Sequence, residues 1–436
     1  MKALVQKCSV CVVFSILLIA TYPINYSLFL SLRPVDIVLI LFAIWGVLNN
    51  DIKLQSFSLL IGIFYILYLL SVVYGVLCIG IVNPQNFAFI YKYSVLFICV
   101  WLFLSSDLNE WQVKFLLKIL FFSFIALIVY EFVSLYRFKI LFPELANRFR
   151  PNFPFTKPFY KGGYLGDAHL LAAYISTGLL AIIFCRRYNL LKIGLPLYCI
   201  LITIVFIAIL LTGSRNGIVT FFVTMILFYL YLVCKRRPSL RNLTRIKKTT
   251  LYSAFIIFIS GAVIIALYMS YSGENDFVTR LLRRTFYFSL TEDQSLMGRI
   301  RKFSIALDLV FNGPILIGVG LQSSPMSFFD GAISSILVSS GLMGLIIFIS
   351  IIVVFFLNLY KKAVQNRRQE EFLILLFVSL NYILANLITE FFLVSRSVIP
   401  FSIFLGLVAS LVQIPKGLVA DMAEKHECFD NNSLFE

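Results

Sequence analysis

Long apolar runs separated by short polar breaks fill most of the chain, and their lengths predict membrane-crossing helices. The runs lie near 8–31, 35–49, 55–82, 86–105, 114–136 and 165–185, then near 189–211, 216–234, 251–272, 331–360, 372–392 and 397–414. The second is short and can pair with the first as one hairpin, so about ten to twelve spans are expected. No fixed-period repeat and no low-complexity segment interrupts the series.

The pattern breaks between Gly298 and Gly344, and the rest of the chain is organised around that break. Leu296, Ile300, Phe303, Leu307 and Val310 recur at helical spacing, while Arg299, Arg301, Lys302 and Asp308 fall off that stripe. Such a helix is expected to lie along a membrane surface, arginines towards the head groups. Asn312-Gly313-Pro314 ends it, since the residue before a proline disfavours helix. Gly318-Val319-Gly320 then allows backbone to pass close to another group or a ligand. Asp330 precedes a long apolar run, where an unpaired carboxylate is costly. The same residues also fit a plainer arrangement: a surface helix, a turn and a solvated carboxylate at the edge of a span.

Composition agrees with the pattern. Of 436 residues, 60% are hydrophobic and only 13% charged, and the mean hydropathy is +0.94. Twelve spans of about 20 residues would take roughly 240 residues, leaving loops and short tails. Residues 1–436 are therefore expected to form one integral membrane domain without a separate soluble one. The first apolar run lacks a small-residue cleavage site and is expected to be retained as a span.

Charge sets the expected orientation. With Lys2 and Lys7 cytoplasmic, the even-numbered loops are cytoplasmic too. They carry Arg186, Arg187 and Lys192, then Lys235, Arg236, Arg237, Arg241, Arg245, Lys247 and Lys248, then Lys361, Lys362, Arg367 and Arg368. This is the positive-inside bias, and it places both termini in the cytoplasm. Two long loops expected outside, 137–164 and 273–330, are cationic as well. The first holds Arg137, Lys139, Arg148, Arg150, Lys157 and Lys161; the second holds Arg280, Arg283, Arg284, Arg299, Arg301 and Lys302. Topology gives no reason for these charges, whereas an anionic substrate does, because guanidinium groups grip phosphate in a bidentate fork. The net charge of +16 is thus read as part topology, part substrate. Nucleic acid is a poor partner here, since the charges border membrane and no nucleic-acid-binding motif is present.

The remaining chemistry is sparse. None of the eight cysteines falls in an expected external loop, which argues against a disulfide framework. His169 and His426 are the only histidines, and no Cys/His ligand spacing occurs, so no metal or other cofactor is expected. No Walker loop is present, so ATP is not expected as energy source. Three polar clusters are left, all on the expected outer face. Gly166-Asp167-Ala168-His169 opens the sixth span and reads equally as a helix start with an acidic first turn. Thr212-Gly213-Ser214-Arg215-Asn216-Gly217 connects the seventh and eighth spans tightly, and its arginine suits a binding role better than a snorkelling anchor. The third cluster is the 298–344 break, with Arg299 and Asp330.

These motifs carry a resemblance. LLTGSRNGIVTFF resembles the Ser-Arg-Gly-type motif of the O-antigen ligase and polymerase superfamily of membrane glycosyltransferases. GRIRKF, GPILIGVG and FDGAISSILVSSGLMG, in that order, are similar to its C-terminal signature. PNFPFTKPFYKGGYLGDAHLLAAYIS resembles its upstream external loop and following helix. The match is an ordered set of short motifs over about residues 150–350. It implies an all-α, polytopic, GT-C-like membrane fold and a metal-independent, inverting glycan transfer from a polyprenyl pyrophosphate donor. The ligases carry a His-Asn pair about eleven residues before the glycine that aligns with Gly341; here those positions are Asp330 and Gly331. That departure favours a repeat-unit polymerase over a ligase.

Under this resemblance the roles follow. Arg215 would stabilise the departing pyrophosphate, and Asp330 would be the base for the acceptor hydroxyl, with Asp167 and His169 as alternatives. Arg150, Arg283, Arg284, Arg299, Arg301, Ser214, Asn216, Gly318 and Gly320 would line the substrate site. The partners implied are the lipid-linked oligosaccharide and membrane lipids, with room for a protein that sets chain length. The location implied is a bacterial inner membrane, and the product an O-antigen or capsule. A ligase and a lipid-linked oligosaccharide transporter are the competing readings. Transport folds tend to place polar groups near the bilayer midplane and to show internal repeats, and here the span centres are nearly free of charge.

Overall fold

The computed structural model describes residues 56–79, 96, 97, 100, 104, 108–140, 168–212, 214–235, 294–320, 331–388 and 395–416. Among these are nine helices: α1 (Ser56–Ile79), α2 (Glu110–Ile140), α3 (Ala168–Arg187), α4 (Leu195–Leu211), α5 (Arg215–Lys235), α6 (Gln294–Phe311), α7 (Ala332–Gln365), α8 (Gln369–Ile388) and α9 (Ser395–Gln413). Six of them, α1, α2, α3, α5, α7 and α8, are long and apolar enough to cross a membrane, and α4 and α9 are shorter apolar helices. Outward-facing positions are apolar too: Leu77 on α1 and Phe122 on α2 are 79% and 77% exposed. Faces of that kind suit hydrocarbon rather than water. The chain is an all-α, polytopic membrane protein. The spans expected near 8–31, 35–49 and 251–272 lie outside the described residues, as do most of 86–105 and most of the two long cationic loops.

At the centre, α8 packs against both α3 and α5, which also pack on each other. Asn381 of α8 is fully buried and donates to Ser176 Oγ at 3.2 Å and Thr177 Oγ1 at 2.9 Å on α3. Thr224 of α5 donates to its Oδ1 at 3.4 Å. Four residues further along α8, the carbonyl of Ala385 accepts from Asn216, which lies eight residues before Thr224. Rising sequence numbers on α8 thus pair with falling numbers on α5, so the two helices are antiparallel. At 1.5 Å per residue, Thr224 and Asn381 lie about 14 Å along α5 from its start at Arg215, a distance that suits the middle of a hydrocarbon layer about 30 Å thick. Interhelical polar contacts of this kind hold helices together where burial alone cannot.

α4 begins six residues later than the apolar run suggests. Asn189 takes φ 61°, and the amides of Leu190 and Leu191 turn back to Cys185 O at 2.8 and 3.2 Å, closing α3. Pro196 then sits in the first turn of α4, where its missing N–H costs nothing.

The long span expected at 331–360 forms as α7, but it is broken at Gly341, with φ 67° and ψ −168°. The segment 314–320 fills the break. Val319 N donates to Val338 O at 3.0 Å, Leu342 N to Ile315 O at 2.9 Å and Met343 N to Leu316 O at 3.1 Å. An inserted strand of backbone replaces the helix's own ladder, which satisfies groups that would otherwise be orphaned. Only glycine fits the crossing: a Cβ on Gly318 would lie 2.6 Å from Gly341 N and 2.7 Å from Val338 O. A Cβ on Gly75 of α1 would meet Val319 O at 2.5 Å.

α6 is the expected amphipathic helix. Ile300 and Phe303 are about half exposed, while Val310 and Ala306 are buried, the latter outside the expected stripe. Ile305 and Leu309 are packed against the core. The helix therefore has two apolar faces, one against α7 and one turned outward.

Candidate functional site

One end of the bundle gathers the polar residues singled out above. α3 begins there with His169, α5 with Arg215, α7 with Ala332, and α8 ends there at Ile388. α3 and α5 run side by side because Gly217 has no side chain; a Cβ would lie 2.6 Å from both Ala172 Cβ and Ala172 O. That close approach sets His169 Nδ1 2.7 Å from Ser214 Oγ. Ser214 is buried and precedes α5; its amide donates to Thr212 Oγ1 at 3.2 Å, and that hydroxyl bonds Ile209 O at 2.6 Å. The tight connection is held from within by its own hydroxyls.

Arg215 is half-buried as the first residue of α5, and Asn216 is buried next to it. Asn216 Nδ2 faces the carbonyl of Ala385 at 3.4 Å, an orientation fixed because that carbonyl only accepts. Its Oδ1 is left without a donor. A buried acceptor in that state costs about 1–3 kcal/mol. Gly331, with φ 135°, packs the start of α7 on the end of α8; a Cβ there would lie 2.7 Å from Leu387 O. The starts of α3, α5 and α7 thus share one end of the bundle. The dipoles of α3 and α5, with Arg215, make that end favourable for an anion.

The structure brings together His169, Ser214, Arg215 and Asn216. Arg299 and Arg301 lie on α6, which packs on α7; Arg301 is exposed and Arg299 half-buried. Gly318 makes a close approach, and the partner is this chain's own backbone at Val338, Ser340 and Gly341, whereas Gly320 is only in ordinary contact with Ser71. Arg150, Asp167, Arg283, Arg284 and Asp330 lie outside the described residues. Asp330 directly precedes Gly331 in the chain. Sequence reasoning missed Asn381, the Ala385 carbonyl and the break at Gly341. An asparagine in an apolar run was the available signal for the first; the other two depend on contacts between distant segments.

The opposite end is a latch. Arg368, between α7 and α8, is bonded through its guanidinium to Glu110 of α2, to Glu371 at 2.8 Å and, through Nε, to Ile414 O at 3.1 Å. Burial works against its charge, but the bonds to the two carboxylates outweigh that and raise its pKa. Asn366 adds bonds to Val412 O and Gln413 O at 3.0 and 2.8 Å. Arg186 stacks 4.4 Å over Tyr198, and Arg187 lies 5.3 Å from the Phe228 ring. No family model matches the chain and no curated protein matches it.

Proposed function

We propose that this protein is a glycan polymerase of the cell membrane, joining lipid-pyrophosphate-linked oligosaccharide repeat units into a surface polysaccharide. The observation that supports this reading is the meeting of His169, Ser214, Arg215 and Asn216 at one bundle end, with the residue following Asp330 at the same end. The antiparallel order puts Arg186, Arg187, Lys361, Lys362, Arg367 and Arg368 at the other end, so the positive-inside rule assigns the Arg215 end to the outer face.

In the proposed reaction the acceptor sugar hydroxyl attacks the anomeric carbon of the donor glycan. The bond from that carbon to the pyrophosphate oxygen breaks with inversion, and the hydroxyl proton passes to a base. Asp330 is the base proposed. Arg215 and the amides opening α5 stabilise the leaving pyrophosphate, which needs no general acid. The uncommitted Oδ1 of Asn216 suits a sugar hydroxyl or amide donor. A transporter is the weaker reading, because the mid-depth polar group around Asn381 is engaged wholly within the bundle.

Arg215→Ala tests the reading. Polymer is expected to vanish while the protein stays inserted, and Arg215→Lys is expected to rescue poorly because an ammonium lacks the planar fork. Full polymer in the alanine variant would reduce Arg215 to an anchor.

A further inference from the structure

Part of the site just described is covered. Ser214 and Asn216 are buried, and the start of α7 is pressed on the end of α8 at Leu387. A hydrophilic glycan reaching Ser214 and Asn216 needs one of these helix ends to move. The break in α7 supplies the means, because the α7 groups at the break have two alternative sets of partners. In the observed one, the inserted segment takes Val338 O, Leu342 N and Met343 N. With Gly341 in helical conformation, Leu342 N would bond Val338 O and Met343 N would bond Ser339 O, as in any α-helix. Both arrangements satisfy these groups of α7, but straightening exchanges three bonds to the inserted segment for two within the helix and leaves Ile315 O, Leu316 O and Val319 N to take other partners, so the inserted arrangement is the resting one.

We propose that the segment Pro314–Gly320 is a reversible wedge at Gly341 that gates the polar end of the bundle. Inserted, it holds α7 bent and the Gly331 end seated on α8. Withdrawn, it lets α7 straighten and swings its first nine residues, a lever of about 14 Å, off Leu387. The wedge continues directly from α6, whose outward face carries Ile300 and Phe303. Movement of α6 against the lipid surface is thereby tied to opening of the site. The gate itself stands on the α7 geometry; only its use for glycan admission rests on the proposed polymerase.

The test uses the full chain with its eight cysteines replaced. Ala332→Cys, a buried position at the start of α7, reports opening through its rate of labelling by a membrane-impermeant maleimide. Ile315→Cys with Leu342→Cys, both surface-accessible and bridged by the 2.9 Å bond from Leu342 N to Ile315 O, locks the wedge as a disulfide. The lock is expected to slow labelling about tenfold, and reduction followed by desalting to restore it. Gly341→Ala acts in the other direction without any cross-link. Its Cβ would collide with Leu316 O, and alanine disfavours the positive φ, so labelling is expected to rise about tenfold. Unchanged labelling in both the locked and the Gly341→Ala proteins would overturn the gate. Glycan length is read in parallel: the lock is expected to shorten the polymer reversibly. Gated labelling with unchanged polymer would leave the gate standing and overturn the assignment of this bundle end as the reacting site.

Discussion

Replacing Arg368 with alanine tests how the end opposite the polar site is held. The Arg368 side chain is 3% exposed and that of Glu371 5%, whereas Glu110 at 18% keeps some access to water. Removing one partner of a buried pair costs about 3–5 kcal/mol, because the other is left charged and unpaired. Here Glu371 carries most of that cost, since Glu110 can be partly solvated. The lower end, about 3 kcal/mol, is therefore expected, or roughly a hundredfold in the folded-to-unfolded ratio. Loss of the Arg368 bond to Ile414 O leaves the tail of α9 to its bonds with Asn366. The assay is the surviving monodisperse fraction after heating the detergent-solubilised protein. Arg368→Met combined with Glu371→Gln removes both charges and is expected to recover most of the loss. The reasoning is refuted if Arg368→Ala survives heating like the parent, or if the double variant is no better than the single one.

Three further outcomes follow from other parts of the structure. Periplasm-active reporter fusions at 137–164 and 273–330 should be active and those at 235–250 silent; the reverse would put the arginine-bearing loops in the cytoplasm. Asn381→Leu should lower thermal survival by about 1–2 kcal/mol without changing glycan length, because its bonds to Ser176, Thr177 and Thr224 serve packing; a specific loss of polymer would instead give Asn381 a role in the reaction. Gly217→Val should push α5 off Ala172, separate Ser214 from His169 and abolish polymer, whereas Gly62→Ala, which meets open space, should be silent in the same glycan assay.

Periodicity and length revealed the helices because lipid imposes long apolar runs whatever they pack against. The described spans therefore fall close to where the pattern puts them. The late start of α4 was also written locally, in Pro196 and in Asn189 at positive φ. The break in α7 was not. Gly341 looks like any glycine in a membrane helix, and its conformation depends on Pro314–Gly320 arriving from over twenty residues upstream. The stripe expected on α6 is split in the structure, with Ile300 and Phe303 outward and Val310 buried, and packing on α7 takes in Ala306 from outside the stripe. At the candidate site, the SRNG cluster announced itself by placing an arginine in a tight connection. Its pairing with His169 required the glycine-mediated contact of α5 with α3, which no local pattern encodes.

The length distribution of the surface glycan in cells lacking this protein tests the central claim most directly. A polymerase deletion should leave glycans capped by a single repeat unit, and complementation with Asp330→Asn should reproduce that single-repeat profile with the protein present at normal level. Deletion that strips the repeat entirely while lipid-linked polymer accumulates would mark a ligase. An unchanged ladder of long chains would contradict the account altogether.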